Sequence, residues 1–148
     1  MNPNIKLNER IATLATLDPV SVSPSTVVTT WVPASNFGSI SAQILIGAMT
    51  ATGTLDAKLR QAQDASGTGA KDITGKALAQ TLAASGSNTQ ASIECRGEDL
   101  DATNGFGYVA LSVTIGTAAS VFGAALLGAN PRYASAAAFN KATVLQTV

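Results

Sequence analysis

The sequence predicts an all-β fold: an antiparallel β-sandwich or jelly roll of seven to eight strands, with extended N- and C-terminal arms. Three observations carry this. Apolar residues recur at every second position over several short stretches, the period of a strand with one buried face. Gly, Pro, Asn and Ser punctuate those stretches at short intervals, as turns require. Charged residues make up only 12% of the 148 residues while 46% are hydrophobic. Such a chain has a polar but uncharged surface, or covers much of it with partners.

Residues 1–17 read as an N-terminal arm. Ile5, Leu7, Ile11, Leu14 and Leu17 fit neither period well, and Pro3 discourages an early helix. Such an arm is either a frayed end or a segment that orders against a neighbouring subunit. The sandwich domain is expected over 18–134. Val20 and Val22 alternate with serines up to Pro24, and 26–32 is β-branched and aromatic up to Pro33. Over 39–47, Ile40, Ala42, Ile44 and Ile46 share one face; over 54–61, Leu55, Ala57 and Leu59 do so against Asp56, Lys58 and Arg60. The intervening Ala51-Thr52-Gly53 reads as a tight turn, so these two strands are expected to pair as a hairpin. Residues 64–70 are loop by composition. The 73–84 stretch fits a strand, or a short helix with Leu78 and Leu82 one turn apart. Residues 90–96 place Ile93 and Cys95 on one face, and 98–107 form a polar connection.

The stretch 105–134 has no charge between Asp101 and Arg132 and is apolar enough to raise the question of a membrane span. Its period answers that question. Val109, Leu111, Val113 and Ile115 alternate with Tyr108, Ala110, Ser112 and Thr114, which is strand periodicity. Gly116-Thr117 stands where a two-residue turn of type II′ would sit, and 119–127 is apolar on both faces, as a central strand would be. A β-hairpin in a soluble sandwich is therefore expected. Pro131 ends the last core strand. Residues 135–148 form a C-terminal arm that either folds back or reaches another subunit.

Chemistry is sparse. Nine basic and nine acidic residues are scattered singly, giving zero net charge and no clustered positive field for nucleic acid or an anionic membrane. Histidine is absent, which removes the commonest general base and metal ligand. Cys95, the only cysteine, is expected inward as core filler, and no phosphate-loop, dinucleotide, zinc or serine-elbow motif occurs. The acidic run Glu98-Asp99-Leu100-Asp101, with Glu94 nearby, lacks the ligand spacing of a calcium loop and reads as a solvated loop or an inter-subunit salt bridge. Trp31 and Phe122 are expected in the core, Tyr108 and Tyr133 outside. No catalytic residue, metal ligand or cofactor is expected. The first 17 residues lack the basic and apolar blocks of a signal peptide, so synthesis in a reducing cytoplasm is expected.

The stretch QASIECRGEDLDATNGFGYVALSVTIGTAASVFGAALLGANPRYA resembles auxiliary head proteins of tailed bacteriophages and related gene-transfer particles. The resemblance lies in the RGEDLD turn (Arg96 to Asp101), the strand from Tyr108 to Ile115, Gly116-Thr117-Ala118-Ala119, and the closing Leu127-Gly128-Ala129-Asn130-Pro131-Arg132-Tyr133. The earlier stretch from Pro19 to Asp64, with its Ile strand and GTLDAKLRQAQD, is similar in layout. The resemblance implies a β-sandwich on the outer surface of a virion that decorates or cements the capsid, often as a homotrimer. Its partners would then be the major capsid protein and itself. The arms on either side depart from the pattern, so the docking mode does not carry over. The expected contacts are Ile5, Leu7 and Ile11, then Phe139, Val144 and Leu145, with Arg132 and Tyr133 at the junction of strand and arm. A head-spike base or carbohydrate-binding and adhesion module on the virion, and a head–tail connector or tail component, are the alternative readings.

Overall fold

In a computed structural model, which describes residues 4–147, ten strands make two antiparallel sheets. They are β1 (Ile11–Val22), β2 (Ser25–Val28), β3 (Val32–Pro33), β4 (Phe37–Met49), β5 (Thr54–Ala62), β6 (Lys71–Ala77), β7 (Thr81–Leu82), β8 (Gln90–Arg96), β9 (Tyr108–Gly116) and β10 (Ser120–Pro131). The first sheet has the order β1-β10-β4-β8 and the second β2-β9-β5-β6, with short β3 on β9 and β7 on β5. Eight strand positions in two four-stranded sheets, wound so that the chain crosses between them at most steps and stays in one sheet from β5 to β6, make a jelly roll. The expected seven to eight strands are these eight positions; β3 and β7 are short additions. The 73–84 stretch proves to be β6, β7 and the start of a single-turn helix, α1 (Ala83–Gly86).

The inward faces follow the alternation in the sequence. Ile40, Ala42, Ile44 and Ile46 of β4, Leu55, Ala57 and Leu59 of β5, and Val109, Leu111, Val113 and Ile115 of β9 are all buried. They meet Phe122, Leu126, Ile93 and Cys95 from the first sheet in one core. Trp31, expected in the core, is only half-buried; a Cβ at Gly67 would meet its indole Nε1 at 2.5 Å, so it stacks against the β5–β6 loop.

Both expected hairpins turn out to be corners between sheets. β4 pairs with β10 and β8, whereas β5 pairs with β9, β6 and β7. β9 and β10 likewise lie in different sheets. In a hairpin the two buried faces lie side by side; across a sandwich they face one another. Alternation along each strand is the same in both cases. At the second corner the positive φ falls on Thr117 (64°), and Ala118 N–H donates to Gly116 O at 2.7 Å. That is a three-residue turn rather than type II′. The corners lie together, because Thr50 N–H donates to Ala119 O at 3.0 Å.

The sequence from 26 to 32 is also broken rather than continuous. After β2 the chain leaves the ladder at Thr29, which exchanges hydrogen bonds with Leu111 through its backbone N–H (2.9 Å) and its buried Oγ1, the acceptor from Leu111 N–H (3.0 Å).

Residues 11–17, assigned above to the arm, are the first half of β1. The reason is visible in the register with β10: it shifts between Thr13 and Ala15 and again between Leu17 and Val20. Each bulge adds a residue and breaks the two-residue period. The N-terminal segment outside the sandwich is thus 4–10 among the described residues. Residues 1–3 and 148, the outer ends of the two expected arms, lie outside the described residues.

Candidate interaction surface at the free edge of the first sheet

β1 is the edge strand of the first sheet, and both termini converge on it. Arg10 O accepts from Asn130 N–H at 3.0 Å, so the chain enters β1 at the end where β10 leaves. The 3₁₀ turn Leu7–Glu9 precedes it, held by Lys6 N–H donating to Glu9 Oε2 at 3.0 Å. From the other terminus, the 3₁₀ turn Ala136–Phe139 folds back. Ala136 is fully buried beside Ala12 and Phe37, and the Phe139 ring meets the Phe37 ring edge-on at 5.3 Å. Asn140 Oδ1 then accepts from Thr13 N–H at 2.9 Å, Lys141 N–H donates to Thr13 O at 2.7 Å, and Lys141 Nζ donates to Thr16 Oγ1 at 2.8 Å. An edge strand presents unpaired backbone groups; here the C-terminal segment covers those of Thr13.

Three of the expected contact residues line one groove of about 630 Å³: Leu7, Ile11 and Val144, joined by Thr13 and Asn140. Leu7 is 70% exposed and Leu145 99%, and Ile5 is also exposed. Arg132 and Tyr133 leave the sheet at the same end, Arg132 N–H donating to Asn36 O at 2.9 Å, with Tyr133 77% exposed. Phe139 differs from expectation: it is half-buried against Phe37 and is an anchor rather than a free contact. Ile11 is half-buried within β1.

A second groove was not foreseen. It measures about 550 Å³ on the outer face of the first sheet, between Leu17 and Pro19 at the β1 bulge and Leu45, Gly47, Val121 and Gly123. Leu45 and Val121 are exposed. Its signal was present in β10, apolar on both faces, which was read as burial on both sides; the outer face is open instead. The second sheet's outer face is charged by contrast. Asp72 accepts from Lys58 Nζ at 2.7 Å and Arg60 Nε at 3.2 Å, and the Lys58 hydrogen bond is the main reason its carboxyl sits below the ordinary value.

The acidic run pairs within the chain. Asp99 accepts from Arg96 N–H at 2.8 Å and lies 3.0 Å from Lys76 Nζ, which together hold its carboxyl low. Asp101 pairs with Lys71, and both its oxygens accept from Asn104 Nδ2 at 2.9 Å. Lys71 Nζ also sits 4.1 Å over the Phe106 ring. These contacts clasp the 97–104 loop to β6. The Cys95 thiol is pushed up to about 12, first by burial and then by Asp99, and is no nucleophile at neutral pH. No helix among the described residues is long and apolar enough to cross a membrane.

No protein-family profile matches this sequence, and no curated protein does. Among solved structures, a chain of infectious bursal disease virus, Gx strain, is similar over 86% of this chain at 13% identity, with a TM-score of 0.50. This chain spans about a third of that one's length (34%). A chain of Broad bean stain virus is similar over 88% of each chain (13% identity, TM-score 0.45). One from the disulfide-linked pili of Bacillus endospore appendages covers 88% of this chain and 99% of its own (15% identity, TM-score 0.37). At such identities the likeness to the bursal disease virus chain is one of fold: this chain is an all-β sandwich of the kind found in that particle.

Proposed function

We propose that this chain is a structural protein of a virus particle, a capsid decoration or cement protein of the tailed-phage type that binds major capsid protein subunits and its own copies on the outer surface of the shell. The observation that carries the reading is the convergence of both terminal segments on one corner of the jelly roll, where exposed Leu7 lines a groove with Ile11 and Val144, and Ile5 and Leu145, close by in the chain, are exposed too. Apolar side chains gathered around a groove are the surface a protein partner covers, whereas isolated ones need no explanation. The resemblance of residues 90–134 to auxiliary head proteins and the jelly-roll topology support the same reading. The role is passive: many weak contacts repeated over a shell add up through avidity. No catalysis, cofactor, nucleic acid or membrane enters it.

The test is to mix the purified chain with shells assembled from the major capsid protein of the virus that carries it and to sediment the particles. Saturable binding is expected, with density for the chain on the outer surface in a reconstruction. Leu7→Asp combined with Leu145→Asp should reduce occupancy about tenfold or more. Failure of the unaltered chain to bind, or full binding by the double variant, would overturn the assignment of this corner.

A further inference from the structure

We infer that the segment from Ala136 to Val144 is an exchangeable cover for the β1 edge, which a second copy of this chain supplies when copies are crowded together. The inference deepens the reading above by naming the partner of the corner, and its test needs no capsid. The segment grips β1 and the start of β4, through Ala12 and Phe37 for Ala136, Phe37 for Phe139, Thr13 for Asn140 and Lys141, and Thr16 for Lys141, and it also lies against β10 and the Leu7–Glu9 turn. None of these contacts requires the segment and the socket to belong to one chain.

The link between them has the properties of a hinge. Residues 132–135 are all exposed, and the hydrogen bond from Arg132 N–H to Asn36 O lies before the turn. Four extended residues reach about 14 Å at most, so exchange requires two copies packed corner to corner. Exchange reproduces the same contacts in the neighbour. Within one copy Val144 already lines the groove with Leu7 and Ile11; crossing carries it to the neighbour's Leu7 and Ile11 in place of its own. In dilute solution the tethered segment wins because its effective concentration is high. That advantage disappears once neighbouring copies are present at a comparable local concentration.

The test uses the full chain in two differently tagged forms, one with Thr16→Cys and the other with Lys141→Cys, since these side chains touch in the folded protein. Cys95 is buried and takes no part. The forms are mixed at millimolar concentration, warmed gently, cooled and treated with a short bismaleimide. A covalent heterodimer carrying both tags is expected at a yield about tenfold above that of Lys141→Cys mixed with Ser92→Cys, whose exposed β8 site reports collisions. Yield no higher than that control, with efficient linkage only in the Thr16→Cys/Lys141→Cys double variant, would overturn the proposal. A second measurement removes Tyr133 and Ala134. The shortened link reaches about 7 Å at most, which weakens the hold of its own socket, and a dimer or closed ring is expected by sedimentation; a folded monomer would overturn the proposal equally.

Discussion

Gly128→Ala tests whether Phe37 is the pivot on which the C-terminal segment rests. Gly128 lies inside β10, paired with Ala12 of β1 and Ile40 of β4. A Cβ there would meet three atoms of the Phe37 ring at 2.7, 2.7 and 2.8 Å. Ordinary van der Waals contact begins near 3.4 Å, so the ring has to retreat by about 0.7 Å into a packed site. It has little room: Phe37 is 2% exposed, with Phe139 edge-on against it. Overpacking of this kind costs about 1–3 kcal/mol, and replacing a strand glycine with alanine returns about 0.5–1 kcal/mol of backbone entropy. The net loss then spans about 0–2.5 kcal/mol and centres near 1 kcal/mol, a fall in Tm of roughly 2–4 °C at that centre for a chain of this size. Thermal and urea unfolding of the two proteins would measure it. Adding Phe37→Leu to Gly128→Ala should recover part of the loss, because residues in contact are not additive. A Gly128→Ala protein as stable as the parent, or strict additivity with Phe37→Leu, would refute the account of this contact.

Thr29→Val removes the side-chain acceptor of buried Leu111 N–H; a loss of about 1–3 kcal/mol is expected in urea unfolding, and a smaller one for Thr29→Ser. Acid should destabilise the protein through Asp64, Asp72, Asp99 and Asp101, whose carboxyls lie below the ordinary 3.8 mainly through Thr68, Lys58, the Arg96 N–H and Lys71 respectively. Depressed folded-state values mean that this stabilisation is complete above the unfolded value and is lost as pH falls through the folded one. Tm should therefore hold down to about pH 4 and drop below it, with a shallower drop in Asp99→Asn; an unchanged slope in that variant would count against the clasp. Cys95 should resist a thiol reagent at pH 8 until the protein unfolds, given its burial and its raised value of about 12; rapid labelling of the folded protein would contradict its placement.

The inward faces of β4, β5, β8 and β9 were legible because each alternates without interruption over its buried stretch. Connectivity was not. Ala51-Thr52-Gly53 and Gly116-Thr117 are short enough for hairpins, and only the pairing of Leu55 with Ile115 and of Ala124 with Ile44 shows that each joins opposite sheets. β1 was hidden for a different reason. Ala12 and Ala15 are both buried although three positions apart, since the bulge around Leu14 resets the alternation. Of the candidate site, the exposed Leu7, Leu145 and Tyr133 could be read as apolar residues outside any periodic run. Their common location could not, because 138 positions separate Leu7 from Leu145 in the chain and only the fold brings Arg10 beside Asn130.

The same edge explains why the C-terminal segment matters to a protein with so little charge. Twelve residues of β1 carry one charged side chain, Asp18, so the usual protection of an edge strand by lysine is missing. Other devices take its place. The bulges at Thr13/Ala15 and Leu17/Val20 twist the strand, Pro19 offers no N–H, and Asn140 with Lys141 occupies both backbone groups of Thr13. Two of these devices are fixed in the strand, but the third is held from outside, by the buried Ala136, one aromatic contact and a few hydrogen bonds. A permanent guard would be built into the sheet. One placed on a hinged segment leaves the edge available to an equivalent segment from a neighbour, which would make the same contacts there.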